Sequence, residues 1–467
     1  MSEKRFCDMS RSVSAENQIT QGVIWKQILV FFFPILFGTF FQQLYNTFDA
    51  VIVGQFVGKQ ALAAVGGGAS NLVNIVVNLF TGVAAGTTVV VAQGVGARDP
   101  QRVQKTVHTS VAMSLAGGLL FTVLGILAAR PALELMGTPA DVMEYAVQYL
   151  IAYCLGMIPS FFYNVGAGIL RAVGDTKRPL YFLIVACLVN IVLDILFVAV
   201  MGLGALGAGL ATMISQWVSA ALVYLSLSGT QAIYRLDKTQ LGFDRASLGR
   251  VLQVGIPAGI QGNMYAISNV ILQSCINSFG TDTVAAWTSF SKVDGFFWMI
   301  SGAYGIAITT FAGQNYGAGL YNRVRKSVNV CLAMNAATAV GLSAIMLSCA
   351  ELLLRLFTQD ETVLEIAVTL CWHLMPCYVT FVCIEILSGA IRGCGQALIP
   401  MILTGSGVCG LRILWVIFVV PLKRDILTVA VSYPVSWVIT SICFVIYYKC
   451  GKWLPKEDRQ PATSAEA

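Results

Sequence analysis

Charge is scarce in this chain. Asp, Glu, Lys and Arg make up 11% of its 467 residues, against roughly 25% in a soluble domain. So few charges cannot cover a water-facing surface of this size. The apolar residues, 57% of the total, must therefore face lipid. Histidine is nearly absent, at two residues. The thirteen cysteines form no CxxC pair and show no metal-ligand spacing, which excludes zinc ribbons and disulfide scaffolds. Cys187, Cys349, Cys409 and Cys443 lie in apolar stretches and read as small packing residues. There is no phosphate-binding glycine loop and no HExxH, so ATP drive within the chain and zinc-peptidase chemistry have no support. No cofactor and no enzymatic activity are expected. Met1 to Gln27 is polar, with Lys4, Arg5, Arg11 and Lys26, and lacks the short apolar core of a cleavable signal peptide.

What the chain has in abundance is long apolar runs. A helix of about 20 apolar residues crosses a bilayer core. Twelve candidates run near 28–52, 62–91, 107–128, 142–168, 179–200, 207–227, 251–278, 284–311, 328–349, 362–388, 400–420 and 427–448. Forty-four glycines suit close contact between such helices. With the N-terminus placed inside, 22 of the 29 Lys and Arg residues fall in inside segments, five fall outside and two, Lys292 and Arg412, lie within spans. That asymmetry predicts a multi-pass protein of the cell membrane with both termini cytoplasmic. It accounts for the net charge of +6 without a nucleic-acid partner.

The two halves repeat. Gln93-Gly94-Val95-Gly96-Ala97 matches Gln314-Asn315-Tyr316-Gly317-Ala318, and Gly168-Ile169-Leu170-Arg171 matches Gly389-Ala390-Ile391-Arg392, both 221 residues apart. Gly174 and Gly395, and Pro179 and Pro400, keep that spacing; Pro34 and Pro257 are 223 apart. Six spans per repeat bring both halves in from the same side. The expected fold is an all-α membrane protein, with twelve transmembrane helices in two six-helix bundles related by a parallel pseudo-two-fold repeat. The expected divisions are a cytoplasmic tail at 1–24, bundles at 25–228 and 251–450, a polar cytoplasmic connector at 229–250 and a second cytoplasmic tail at 451–467.

Several local patterns sit on this frame. One is Gln43-Leu44-Tyr45-Asn46-Thr47-Phe48-Asp49, followed by Val53-Gly54 and Gly58. Others are Arg171-Ala172-Val173-Gly174-Asp175-Thr176-Lys177-Arg178-Pro179, Asn190-Ile191-Val192-Leu193-Asp194 and Gly207-Ala208-Gly209-Leu210-Ala211-Thr212. In this order and topology, from about Val23 to Cys450, the chain resembles the multidrug and toxic compound extrusion (MATE) transporters. The resemblance implies export of organic, often cationic, compounds, driven by inward flow of H⁺ or Na⁺. It also implies a cavity that opens alternately to each side. The expected partners are small organic cations or drugs and the lipid bilayer, with the chain working as a monomer.

Charges within spans are expensive and usually functional. The first half offers Asp49 and Asp194. Asp49 falls at the outer end of span one. Asp194 falls about 9 Å and Thr212 about 7.5 Å from the outer side, at 1.5 Å per residue. Asn190 is one turn from Asp194. Gln42, Asn46 and Asp49 share a helix face. Asp49, Asp194, Asn190, Thr212 and Asn46 are therefore the candidate cation-coupling residues. Burial disfavours a charged carboxyl, and a second carboxyl nearby disfavours it further, so such a pair can take up H⁺. Na⁺ could instead use the oxygens of Asp49, Asp194, Asn190 and Thr212. The plain alternative is that both acids only satisfy neighbouring backbone or hydroxyl groups. The second repeat has Leu272 and Trp415 near the matching positions, so the scaffold does not require the acids.

The second half offers Lys292, Asp294, Glu385 and Arg412. Glu385 and Arg412 could pair with each other, or contact a cationic substrate. Span seven carries Gln261, Asn263 and Asn269 but no acid. This departs from the sodium-coupled branch of the family, whose acids crowd the C-terminal bundle, and it weighs toward H⁺. Candidate substrate-cavity residues are Gln42, Tyr45 and Asn164 in the first half and Asp294, Glu385 and Arg412 in the second. Pro34 permits a kink in span one, and the resemblance implies bending there; a static kink is the plain alternative. His108 reads as interfacial and His373 as a packed residue. The competing functions are a flippase of a lipid-linked or polysaccharide precursor, and a receptor or channel subunit. A flippase would need several basic cavity residues for phosphates, and only Lys292 and Arg412 lie within spans.

Overall fold

The computed structural model describes residues 19–58, 61, 64 and 68–455. Lys59 and the tail segments 1–18 and 456–467 lie outside the described residues. Among the described residues all regular structure is helical, as lipid demands of a backbone with no water to bond. The first half runs α1 (Ile24–Phe56), α2 (Gly68–Gly96), α3 (Pro100–Leu135), α4 (Ala140–Leu155), α5 (Met157–Val173), α6 (Lys177–Asp194) and α7 (Gly204–Gly229). The second runs α8 (Arg245–Asn277), α9 (Thr281–Gly317), α10 (Tyr321–Ser348), α11 (Ala350–Arg355), α12 (Glu361–Leu374), α13 (Tyr378–Gly393), α14 (Leu398–Thr404), α15 (Leu411–Phe418) and α16 (Ile426–Cys450).

The helix ends repeat as the sequence does. α1 and α8, α3 and α10, α4 and α12, α5 and α13, and α6 and α14 each begin 221 residues apart. The stops repeat too. α5 ends at Gly174 (φ 108°), and the matching Gly395 has φ 94°, a left-handed conformation that glycine adopts without penalty. Asp99 caps α3, accepting from the Arg102 N–H at 3.0 Å ahead of Pro100. Asp360 caps α12 by accepting from Thr362 and Val363.

Ten helical stretches are long and apolar enough to cross a membrane. The α4–α5 pair supplies an eleventh, bent by 48° at Gly156, within the span expected near 142–168. α8 is the twelfth. Its 33 residues are ample, but Gln253, Gln261, Asn263, Asn269 and Gln273 dilute its apolar character. α1 is one unbroken helix through Pro34.

Two departures from α geometry matter for the site. A π-helical segment, Ile195–Val200, starts immediately after Asp194, and another, Gly405–Gly410, ends two residues before Arg412. Such segments rotate the residues beyond them and recur at functional positions. They fall on equivalent helices of the repeat but at different depths, so the divergence of the halves is local.

The chain divides into two compact units. One is 33–259; the other is Ile19–Phe32 with the chain from Ile260 onward. Both crossovers lie within two residues of Pro34 and Pro257, inside α1 and α8. In the first unit, α2 and the start of α8 meet through Gly82, Gly86, Gly255 and Gly259. A Cβ on Gly82 would lie 2.2 Å from the Gly259 nitrogen, and one on Gly86 2.3 Å from the Val251 oxygen. Each helix offers two glycines four residues apart, the small-residue pattern that lets membrane helices touch backbone to backbone. In the second unit, Arg323 Nη2 donates to the carbonyls of Ile19 (3.1 Å), Gln21 (2.9 Å) and Gly22 (3.0 Å) and fixes the lead-in to α1.

The connector between α7 and α8 is docked on the first unit. His108 Nε2 accepts from the Asp237 N–H at 3.0 Å, while its Nδ1 bonds the Gln104 carbonyl at 2.7 Å. Thr109 Oγ1 accepts from the Asp244 N–H at 2.9 Å. Asp244 in turn caps α8, and the Ser247 backbone N–H holds its carboxyl below the ordinary aspartate range. His108, expected to be merely interfacial, is buried and tethers this segment. His373 was expected to be packed; it lies on the exposed surface with Nδ1 bonded to the Thr369 carbonyl.

Candidate functional site

The first unit gathers its polar residues around an acid pair. α1 extends to Phe56, so Asp49 lies about 10 Å inside the helix end at 1.5 Å per residue, and not at the outer end of its span. That depth matches Asp194. The two carboxyls are both buried, and the charge of Asp49 acts on Asp194. Among the described residues neither oxygen of Asp194 has a hydrogen-bond donor. Asn190 (0% exposed) and Thr212 (1%) are equally sealed. Both amide atoms of Asn190, Thr212 Oγ1 and Asp49 Oδ1 also lack partners. Unpaired buried polar atoms each cost about 1–3 kcal/mol, so this many in one place mark a site and not a packing accident.

The pair is asymmetric. Asp49 lines a cavity of about 430 Å³, whereas Asp194, Asn190 and Thr212 do not reach it. The cavity wall includes Gln42, Tyr45, Asn46 and Asn164. Asn46, expected among the coupling residues, is exposed toward this cavity and stands outside the sealed cluster. Asn164 donates to the Ser160 carbonyl at 2.8 Å. No Lys or Arg lines the wall among the described residues. Sequence reasoning missed Tyr149 and Tyr153, which lie one turn apart on α4 and face Asp49. Their i, i+4 spacing was visible, but tyrosines at membrane depth read equally as belt residues.

Asp294, Glu385 and Arg412 line a separate cavity of about 490 Å³ in the second unit. The six residues expected to share one substrate cavity therefore divide between two. Of the two readings open for Glu385 and Arg412, pairing with each other is not realised: no ion pair joins them. Arg412 lies face-on to Tyr433, 3.9 Å from the ring centre, and its Nε donates to Ser436 Oγ at 3.1 Å. Aromatic faces attract a desolvated guanidinium, and Tyr433 and Trp437 on α16 supply them, with ring centres 3.9 and 5.8 Å away. Glu385 packs against α9 where Gly305 leaves room; a Cβ there would lie 1.9 Å from Glu385 Oε1. Asp294 accepts hydrogen bonds from Tyr378 Oη and from Trp298 Nε1. Lys292, two residues from Asp294, is exposed and outside the cavity. Exchanging the two charges, with Glu385→Arg and Arg412→Glu together, should consequently fail to rescue folding. Detergent-extracted yield of the double variant is expected to be no better than that of the worse single variant.

A duplicated twelve-helix membrane protein, with acids lining a cavity inside each half, has the architecture of a transporter. The MatE family model matches residues 34–196 and 257–417, and the chain belongs to that family. It is 27% identical over 435 residues to a probable multidrug resistance protein, YoeA, of Bacillus subtilis, covering 91% of this chain and 94% of the relative. It is 24% identical to a probable multidrug resistance protein NorM of Thermotoga maritima, covering 92% and 93%. An outward-facing multidrug resistance MATE family transporter of the MOP superfamily shares the fold, with a TM-score of 0.86 at 23% identity over 92% of this chain and 96% of the other.

Proposed function

We propose that this protein is a cation-coupled antiporter that exports organic, often cationic, compounds, with H⁺ as the coupling ion. The observation that carries the reading is the Asp49–Asp194 pair: two buried carboxyls near enough for each charge to disfavour the other, with no basic residue on the adjoining cavity wall among the described residues. Like charges this close cannot both stay ionised without compensation, so the pair holds a proton or a cation. Asp49 faces the cavity and exchanges with it; Asp194 stays behind. Coupling follows when the loaded and empty pair favour different packings of the bundle. The family and the multidrug-resistance names of the relatives support drug-like substrates.

The alternative ion, Na⁺, fits the same donors chemically, since Asp49, Asp194, Asn190 and Thr212 supply hard oxygen ligands. The two ions make different demands. H⁺ needs one carboxyl, whereas Na⁺ needs several oxygens at once. Thr212→Ala is therefore expected to leave most of an H⁺-driven efflux rate intact. Loss of nearly all transport in Thr212→Ala, restored by raised Na⁺, would assign Na⁺ instead.

The lysine and arginine bias supports cytoplasmic termini and a cytoplasmic connector in the cell membrane. A single cysteine at Lys423 should react with an impermeant reagent added outside, and one at Lys238 should not. Labelling at Lys238 in intact cells would reverse the orientation.

A further inference from the structure

Where α3 and α8 begin, basic residues from both helices surround a cavity of about 270 Å³ in the first unit. Its wall includes Arg102 and Lys105 of α3, Arg250 of α8 and the two capping acids, Asp99 and Asp244. The helix starts lie side by side, with Thr106 Oγ1 donating to Ser247 Oγ at 3.5 Å. Both acids are committed to the caps. Asp99 accepts from the Arg102 backbone N–H at 3.0 Å, and Asp244 accepts from that of Ser247 at 2.8 Å. After the Ser247 N–H, the charges of Lys105 and Arg250 also hold the Asp244 carboxyl below its ordinary range, so both bases stand around that acid. Yet neither forms an ion pair among the described residues, and both are exposed. Three bases against two acids leave the wall with a net charge of +1.

The repeated scaffold does not require this charge. Lys105 corresponds to Lys326 at 221 residues, but Arg250 corresponds to Gln27 at the 223-residue spacing of Pro34 and Pro257. Arg323, the mate of Arg102, is covered by the carbonyls of Ile19, Gln21 and Gly22. Topology asks for basic residues on this side of the membrane, not for three around one cavity. Their depth points to the occupant. Lys105 precedes the span near 107–128 by two residues, and Arg250 precedes the span near 251–278 by one, which places both at the level of lipid headgroups. Leu241 and Phe243, just ahead of Asp244, are exposed and give the same segment an apolar contact for the interface. The cavity is smaller than the about 300 Å³ from which drug-sized ligands fit. A phosphodiester accepts charge-assisted hydrogen bonds from guanidinium and ammonium groups alike, and its single negative charge matches the wall. We propose that this cavity binds the headgroup of an anionic phospholipid, with the phosphate between Lys105 and Arg250, and so ties the connector and the start of α8 to α3 from the membrane side. The proposal goes beyond the transporter reading and is tested without transport.

The test titrates the purified full chain in detergent with phosphatidylglycerol and with phosphatidylcholine of identical chains. Native mass spectrometry reads the affinity for the first lipid bound. The wild-type protein is expected to bind phosphatidylglycerol at least about tenfold more tightly than phosphatidylcholine. Lys105→Gln with Arg250→Gln should erase that preference, and Lys326→Gln, at the matching place in the second unit, should keep it. Equal affinity of the wild type for the two lipids overturns the proposal, and that comparison needs no variant to fold. A double variant that retains the preference overturns it as well. An equal loss in Lys326→Gln would mean that anionic lipid is drawn diffusely to all the basic residues on this side, which also contradicts a built site. Glycerophosphoglycerol, the headgroup without its chains, distinguishes the source. It is expected to bind far more weakly than the lipid, and binding as tight as that of the lipid would assign the cavity to a soluble phosphodiester instead. Any of these failures leaves the transporter reading standing.

Discussion

Asp49→Asn and Asp194→Asn are each expected to reduce gradient-driven efflux to the level of vesicles without protein. Each change keeps the side-chain shape and removes the titratable charge. Both variants should insert and fold, and their thermal unfolding in detergent should be no lower than wild type, because relieving a buried like-charge pair does not strand a partner. Drug binding can survive, since affinity and coupling separate when the ion acts by shifting a two-state equilibrium. The two sites should differ in one respect. Asp49 borders the cavity and Asp194 is sealed behind it. A carboxyl-reactive carbodiimide should therefore block the wild-type protein through Asp49, and substrate in the cavity should protect it.

The second large effect is structural. Gly86→Val should fold poorly, with a stability loss of about 3 kcal/mol or more, beyond ordinary overpacking because backbone cannot move aside. The new Cβ alone would sit 2.3 Å from the Val251 carbonyl oxygen and 2.8 Å from the Gly255 nitrogen. Gly302→Ala is the matched control, since a Cβ there meets nothing within 4 Å. The measurement is the monodisperse fraction after extraction and its melting temperature. Equal values for the two variants would mean that α2 and α8 do not make this contact in the membrane.

Which of these features could be read from the sequence follows from their physical origin. Spans are legible because lipid imposes an apolar length on almost every crossing helix. The 221-residue repeat is legible because matched loops and caps, such as Gly174 and Gly395, preserve helix ends even where side chains have diverged. α8 is the weakest span by hydropathy, because Gln261 and its neighbours are turned to partners inside the unit; Gln261 Nε2 donates to Thr404 Oγ1 at 3.0 Å. Asp49 and Asp194 stand out since an acid in a membrane helix has few innocent explanations. Their proximity is not legible, because it depends on how α1 packs beside α6.

The misreadings share a cause. Arg412 and Glu385 sit on neighbouring helices, and charge complementarity suggested a pair. The direction of a long side chain is set by its local surroundings, and here the ring of Tyr433 holds the guanidinium. The division of one expected cavity into two, and the break at Gly156, likewise arise from packing that no single helix encodes. The π segments after Asp194 and before Arg412 have no sequence signature beyond their neighbours, although the second shifts the phase at which Arg412 leaves its helix.

The central claim is that the Asp49–Asp194 pair couples a cation gradient to export. Its most direct test is transport of an organic cation in proteoliposomes with an imposed pH gradient or an imposed Na⁺ gradient, for the wild type and for the double variant Asp49→Asn with Asp194→Asn. The wild type should move substrate uphill under the pH gradient and stay at background under Na⁺ alone, and the double variant should move none under either. Uphill transport at the wild-type rate by a correctly inserted double variant would contradict the claim.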